Sequence, residues 1–231
     1  MVELAAKRVL VVGSSGSLGG QLTRQLIASG ATVFATASSV ESAERIPLGV
    51  SLRLVLDLAN PASIQGVADH LLSIDTPLDG VVLAAGLVGF GSAFDTSPTS
   101  AATLMQVNYL GQAELISRLL PMLTARAAET GEGFIAGISG LVAEKAFLGM
   151  SAYSASKSAF SSYLAGLGME LRRYKITVLD ARPGHTETGL AGRAIFGTAP
   201  AFPAGMTAAH VASVIVAGII DGKRELASTD F

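Results

Sequence analysis

The 231-residue chain contains no cysteine. Disulfides, thiolate metal sites and cysteine nucleophiles are therefore excluded. Charge is also scarce. Asp, Glu, Lys and Arg make up 15% of the residues, against about 25% in an average soluble protein. Neither sign is in excess, because 16 cations against 18 anions leave a net charge of −2. Such a chain has no electrostatic footprint for nucleic acid and no basic block for an anionic membrane. Long apolar runs are missing. The longest weakly polar stretch, residues 80–94, is interrupted by glycine and falls short of the ~20 apolar residues of a membrane-spanning helix. The start of the chain, MVELAAKRVLVVG, lacks the basic region, long apolar stretch and small-residue cleavage site of a secretion signal. These absences predict a soluble, cytoplasmic protein whose partner is a small molecule, with no nucleic-acid or membrane partner. What the chain does have is apolar bulk: half of its residues are hydrophobic and the mean hydropathy is +0.52. That suits one large packed domain, residues 1–231, and leaves apolar surface for a subunit interface. Glycine (26) far outnumbers proline (8) and is dispersed rather than gathered into a linker.

Short β-branched runs alternate with longer amphipathic stretches. The runs are Arg8–Val12, Thr32–Thr36, Leu52–Leu56, Gly80–Leu83, Phe134–Ile138 and Ile176–Leu179. They are apolar almost throughout, the pattern of strands buried on both faces in a parallel sheet. Between them, Asn60-Pro61 reads as an N-cap with proline at the first helical position, opening a helix to about Leu72. Further helices are expected at 100–127, with Pro121 as a kink, at 151–174, and from Thr207 to Ile220. Strand and helix in alternation give an α/β fold of the doubly wound, Rossmann type, with helices on both faces of the sheet. Right-handed crossovers put the C-terminal strand ends on one edge, where ligands bind.

The first strand runs into Gly13-Ser14-Ser15-Gly16-Ser17-Leu18-Gly19 and then a helix. A glycine turn there lets the backbone approach a pyrophosphate, and the helix start offers free N–H groups. No Gly-Lys-Ser/Thr ending follows, which excludes a nucleoside-triphosphate loop. The ribose-selecting position falls in Thr36-Ala37-Ser38-Ser39, where no carboxylate stands. An acid would bind the ribose diol and repel a 2′-phosphate. Its absence favours NADP(H), with NAD(H) possible. Ser38 and Ser39 are ribose-side candidates, or simply caps of the next helix.

Tyr153 and Lys157 lie four apart in a predicted helix and so share a face. An ammonium beside a phenol favours the phenolate and lowers the phenol's pKa, which suits proton transfer. With the glycine turn, the Tyr153-Ser154-Ala155-Ser156-Lys157 segment makes the chain resemble the short-chain dehydrogenase/reductase family, in its shorter single-domain branch. Other matching pieces follow in order. Asn108 matches the family's active-site Asn. Asp57, with Leu58 beside it, matches the adenine-contacting Asp. Ala85-Gly86 matches the turn after the fourth strand. Pro183-Gly184-His185-Thr186-Glu187-Thr188 matches the Pro-Gly segment whose threonine meets the nicotinamide carboxamide. The resemblance implies an oxidoreductase passing hydride between a nicotinamide cofactor and a carbonyl or secondary alcohol. In it Tyr153 exchanges the proton, Lys157 holds the ribose, a serine orients the carbonyl and Asn108 keeps a relay water. The cofactor residues it implies are Gly13, Ser15, Gly16, Ser17, Leu18, Gly19, Ser38, Ser39, Asp57, Leu58, Ala85, Gly86, Tyr153, Lys157, Pro183, Gly184, Thr186 and Thr188.

The chain departs from the family pattern in four places. The middle glycine of the turn is Gly16, where the shorter branch has it at the position of Ser17. Val12 stands in place of a threonine. Leu83-Ala84-Ala85-Gly86 replaces Asn-Asn-Ala-Gly. The serine sits one residue too far from Tyr153: Ser139 is the expected catalytic serine, yet an ungapped match puts Gly140 there, and Ser151 is the fallback.

A substrate lid is expected at about 186–205, with Leu190, Ile195, Phe196 and Phe202 facing Phe90, Leu141, Phe147 and Met150. Gly189, Gly192 and Gly197 would give it mobility. His70, His185 and His210 have no metal-ligand spacing, so no metal is expected. The resemblance also implies a homo-oligomer, dimer or tetramer, built through the two long helices. Two alternatives stay open: a non-catalytic NADP-binding sensor or interaction protein, suggested by the lost amides and the displaced serine, and a nucleotide-sugar epimerase, suggested by the glycine spacing.

Overall fold

The computed structural model describes residues 2–74 and 76–231. Six strands carry the sheet: β1 (Arg8–Val12), β2 (Thr32–Ala37), β3 (Leu52–Val55), β4 (Gly80–Leu83), β5 (Gly133–Ile138) and β6 (Ile176–Ala181). Two short strands, β7 (Thr186–Glu187) and β8 (Met206–Thr207), pair with each other, and β9 (Glu225–Leu226) closes the main sheet. Every pairing is parallel, and the order is β3-β2-β1-β4-β5-β6-β9. The order reverses between β1 and β4. In an open sheet of this kind that is where a crevice forms at the C-terminal strand ends.

The helices are α1 (Ser17–Ala28), α2 (Val40–Ala43), α3 (Pro61–Ser73), α4 (Pro98–Met105), α5 (Gly111–Thr130), α6 (Ser151–Leu171) and α7 (Ala208–Ile220). Side chains alternate across a strand. Leu10 and Val12 therefore join Ile64, Leu115, Ile116, Phe160 and Leu164 on one face, while Val9 and Val11 join Leu22, Leu26, Val211 and Ile215 on the other. The sheet is thus sandwiched between α3, α5 and α6 on one side and α1 and α7 on the other.

The expected start of α3 holds, with Asn60 Oδ1 accepting from the N–H groups of Ala62 and Ser63. Three expectations change. β3 is not buried on both faces: Arg53 and Val55 are exposed, because the strand forms the sheet edge. The helix expected at 100–127 starts at Pro98, capped by Ser97, and runs past Pro121 to Thr130. It is also interrupted by a π turn at Gln106–Leu110. There the Gln112 amide donates to the carbonyls of Val107 and Asn108 (3.2 and 2.9 Å), occupying groups that the widened turn loosens.

Candidate active site

A cavity of about 990 Å³ opens at the C-terminal edge of the sheet. The glycine turn after β1 forms one wall. Gly13 has φ +85°, and a side chain on it would lie 2.8 Å from the Ala85 backbone nitrogen, so only glycine lets this turn sit against the end of β4. Gly19 packs so closely on the Gly13 carbonyl that a Cβ would stand 2.2 Å from the oxygen. Gly16 is the N-cap of α1 and supplies no side-chain cap. The N–H groups that begin α1 therefore face the cavity without a protein acceptor, the arrangement that binds a phosphate group. Ser15, Ser17 and Leu18 line the same wall.

The lost amides at 83 and 84 have identifiable substitutes. Leu83 is fully buried in the apolar core. The strand ends are joined instead by Ala84 N–H donating to Val12 O (2.9 Å) and Gly13 N–H donating to Thr36 Oγ1 (3.2 Å).

After β2 the two serines separate. Ser38 is exposed and lines the cavity. Ser39 does not line it, because its hydroxyl caps α2 by accepting from Ser42 N–H (3.2 Å). Arg45, which carries no motif signal in the sequence, is brought to the cavity wall by the turn after α2. Arg45 has no ion-pair partner among the described residues. Arg53 braces its segment by donating to the carbonyls of Ala43 and Pro47 (both 3.4 Å). Asp57 and Leu58 follow β3 on the same wall, and Asp57 Oδ1 accepts from Ala59 N–H (2.9 Å).

Tyr153 and Lys157 occupy the first two turns of α6, and both line the cavity with Ala85, Gly86, Pro183, Gly184, Thr186 and Thr188. Lys157 is buried and donates from Nζ to Ile138 O (2.7 Å). Burial pulls its ammonium down to about 8, and the carboxylate of Asp180 works against that pull. Burial pushes the Tyr153 phenol up to about 12. In the free protein burial alone sets the direction of the tyrosine's shift.

Asn108 lies in the π turn, fully buried and off the cavity wall. Its Oδ1 accepts from Leu87 N–H (2.8 Å), and its Nδ2 donates to Leu87 O and Ser156 Oγ (both 2.9 Å). Ser156 in turn donates to Tyr153 O (2.7 Å). The side chain thus ties the turn after β4 to the helix carrying Tyr153, which leaves no side-chain donor for a relay water.

Ser139 lines the cavity at the end of β5, beside Gly140 and Leu141, with its hydroxyl already engaged. It has no solvent exposure, and its hydroxyl donates to Asp180 Oδ1 (2.5 Å). Gly140 follows with φ 85° and ψ 164°, a backbone shape that a serine would hold only under strain. The fallback, Ser151, is exposed at the first position of α6 and does not line the cavity.

The far end of the cavity is mostly apolar. Val88, Phe90 and Met150 pack with Val142, Tyr153 and Leu190, and Leu141, Phe147, Leu148 and Phe202 complete the wall. Phe196 and Ile195 do not line the cavity; they tie their segment to the 88–90 segment, Phe90 N–H donating to Phe196 O (3.0 Å) and Ile195 N–H to Val88 O (2.9 Å). Gly197 is likewise a contact rather than a hinge, because a Cβ there would fall 1.6 Å from Phe90 O. His185 lines the cavity, stacked on Phe202 with ring centroids 4.6 Å apart. No helix among the described residues is long and apolar enough to cross a membrane.

Comparison with known proteins agrees with this geometry. A family profile described as short chain dehydrogenase matches residues 7–195. Dehydrogenase/reductase SDR family protein 7-like of Anopheles gambiae is 31% identical over 211 residues, covering 87% of this chain and 65% of that protein. This chain thus spans about two thirds of that relative's length. A short-chain dehydrogenase from Streptomyces avermitilis superposes with a TM-score of 0.84 at 27% identity, covering 96% of this chain and 88% of the other. A Burkholderia cenocepacia short-chain dehydrogenase solved with NADP shares the fold, with a TM-score of 0.83 at 21% identity, covering 98% and 89%.

Proposed function

The chain belongs to the short-chain dehydrogenase/reductase family, and from that premise we propose that it is an NADPH-dependent reductase of apolar ketones or aldehydes. The observation that carries the proposal is the convergence of the glycine turn, Tyr153 and Lys157 on one cavity whose far end is apolar. The residues present fit a dinucleotide, because the start of α1 offers free N–H donors beside glycines that admit close approach. Ser38 and the unpaired Arg45, with no carboxylate at the end of β2, support the 2′-phosphorylated form.

A nicotinamide cofactor held by the glycine turn and Lys157 would supply the hydride, a proton with two electrons, for the carbonyl carbon. This chain's residues do the rest. The apolar wall orients the substrate and excludes water. Tyr153 donates its phenolic proton to the carbonyl oxygen, so that C=O becomes CH–OH. Lys157, one turn along the same face, stabilises the phenolate left behind. With its pKa near 12, the phenol of the free protein is neutral at pH 7, the state that donates a proton.

A second copy of the chain is proposed to pack against α5 and α6, near the exposed Leu110 and Met169. The placement of Ser139 keeps one other reading in play, a protein that binds NADPH without turning over.

The test is a fluorescence titration with NADPH and NADH, followed by a panel of ketones and aldehydes monitored by loss of reduced-nicotinamide absorbance. Expected are tighter NADPH binding and turnover of an apolar carbonyl. Tyr153→Phe should lower turnover by about 10²–10⁴-fold with NADPH binding retained. Binding without turnover across the panel would favour the sensor, and binding of neither cofactor would refute both readings.

A further inference from the structure

Behind the Tyr153–Lys157 pair lies a charged group that the proposed chemistry does not touch. Asp180 is the fifth residue of β6 and only 4% exposed. Its Oδ1 accepts from Ser139 Oγ, and its Oδ2 accepts from Ser161 Oγ (2.6 Å) and Arg182 Nε (2.8 Å). Three donors converging on one buried carboxyl is the pattern of an ionised acceptor.

Two of those donors sit beside the groups that hold Lys157. Ser139 follows Ile138, whose carbonyl accepts from Lys157 Nζ, and Ser161 is one turn beyond Lys157 on α6. The same carboxylate thereby grips the end of β5 and the helix turn below the lysine. Its charge is placed to matter. Lys157 is buried, and among the described residues no carboxylate lies within 4.0 Å of its ammonium. Asp180 is the anion that acts on it from farther away, opposing the desolvation that pulls the ammonium down.

We infer that Asp180 is a positioning residue for Lys157: it fixes the strand end and helix turn that aim the ammonium at the cavity, and it supplies the negative charge that keeps the buried ammonium protonated. The inference rests on the reading of Lys157 as the partner of Tyr153.

Other groups around the lysine are few. On α6 there is the neutral Tyr153 phenol. From the π turn there is the uncharged Asn108 amide, whose Oδ1 lies, like Lys157 Nζ, against Gly86. On the far side of Asp180 is Arg182, itself paired with Glu225 (2.9 Å) and, at 3.8 Å, with Glu144. Arg182 partly offsets the carboxylate, so the two charges should push Lys157 in opposite directions.

The experiment titrates the Lys157 side chain in the intact 231-residue chain by NMR of ¹³Cε-labelled lysine, the resonance being assigned with Lys157→Met. Wild type is compared with Asp180→Asn, which keeps the shape but removes the charge, and with Arg182→Gln. The Lys157 midpoint should fall by about one pH unit in Asp180→Asn, as expected for loss of one charge at an intermediate effective dielectric, and should rise in Arg182→Gln. The alkaline limb of kcat/KM for carbonyl reduction should follow both shifts. A folded Asp180→Asn with an unmoved midpoint overturns the inference, even if its activity has dropped, because lost packing alone does not shift a titration. If Asp180→Asn does not fold, an unmoved midpoint in Arg182→Gln overturns it instead. Shifted midpoints in a protein that reduces no carbonyl would uphold the link between Asp180 and Lys157 and refute the catalytic reading.

Discussion

Replacing Asn108 with alanine should damage stability more than chemistry. The side chain makes three hydrogen bonds, two with the Leu87 backbone and one with Ser156 Oγ, from a site without solvent exposure. At about 1 kcal/mol each, with a buried partner left unpaired, the loss is about 3 kcal/mol. In a chain of this length 1 kcal/mol moves the melting temperature by about 2–4 °C, so Asn108→Ala should melt about 6–12 °C lower. Urea unfolding should show a lower midpoint with an unchanged slope. Asn108→Asp sharpens the argument. Its carboxylate keeps the acceptor for Leu87 N–H but turns an anion toward Leu87 O, so its folded-state pKa is raised above the unfolded value near 3.9. Above that value the unfolded chain gives up the proton that the folded one retains, and stability falls as pH rises. The wild type has no ionisable group at this position and should not show that slope. A loss below about 1 kcal/mol in Asn108→Ala, or an Asn108→Asp curve parallel to wild type between pH 4 and 7, would refute the view of Asn108 as the tie between β4 and α6.

Three more outcomes are expected. Arg45→Gln should weaken NADPH binding about tenfold, the loss of roughly 1.4 kcal/mol from one charge-assisted contact, while leaving NADH binding unchanged; equal losses for both would remove Arg45 from the 2′-phosphate. Lys157 falls from 10.5 to about 8 on folding, so the unfolded chain binds more protons between those values and stability should rise with pH across that window, by up to about 3 kcal/mol; Lys157→Met should lack this rise in pH-dependent urea unfolding. Gly197→Ala places a Cβ against Phe90 O, so the lid cannot hold its contact with the 88–90 segment; KM for the carbonyl should rise several-fold with NADPH affinity unchanged, and an unaltered KM would show that the lid does not bound the substrate site.

The fold was legible because its strands are buried, short and separated by well-signalled helices. Asn60-Pro61 opened α3 by an N-cap that a single sequence displays, and the alternation of Leu10 and Val12 with Val9 and Val11 distributes apolar groups to two helical layers. The π turn was not legible. Its cause is tertiary: the packing of Asn108 against Leu87 and Ser156, and the Gln112 amide that occupies the loosened carbonyls. The edge position of β3 was likewise invisible in a run reading Leu-Arg-Leu-Val-Leu, since the order of strands is set by crossovers and not by the composition of one strand. Arg45 escaped notice because the distance from the end of β2 to the cavity wall is bridged by α2, whose path depends on Arg53 reaching across from β3.

The serine was the hardest position to read, for a physical reason. A hydroxyl carries one proton to donate, and sequence alone does not say which acceptor receives it. In Ser139 that acceptor is Asp180, which stands 41 residues away and is brought alongside by the pairing of Gly137 with Asp180 and Ile138 with Ala181 in the sheet. Turning Ser139 toward a substrate would leave a buried carboxylate short of one donor, at a cost of about 1–3 kcal/mol. Moving the serine one place along, to 140, meets a backbone with φ +85°, where a side chain is strained by a similar amount. Both routes to a hydroxyl free to donate to a substrate are therefore uphill in this chain. Asp180, which engages the Ser139 hydroxyl at the cavity wall, is also the residue proposed to support the charge of Lys157, so the orientation of the serine and the state of the lysine have a common structural origin.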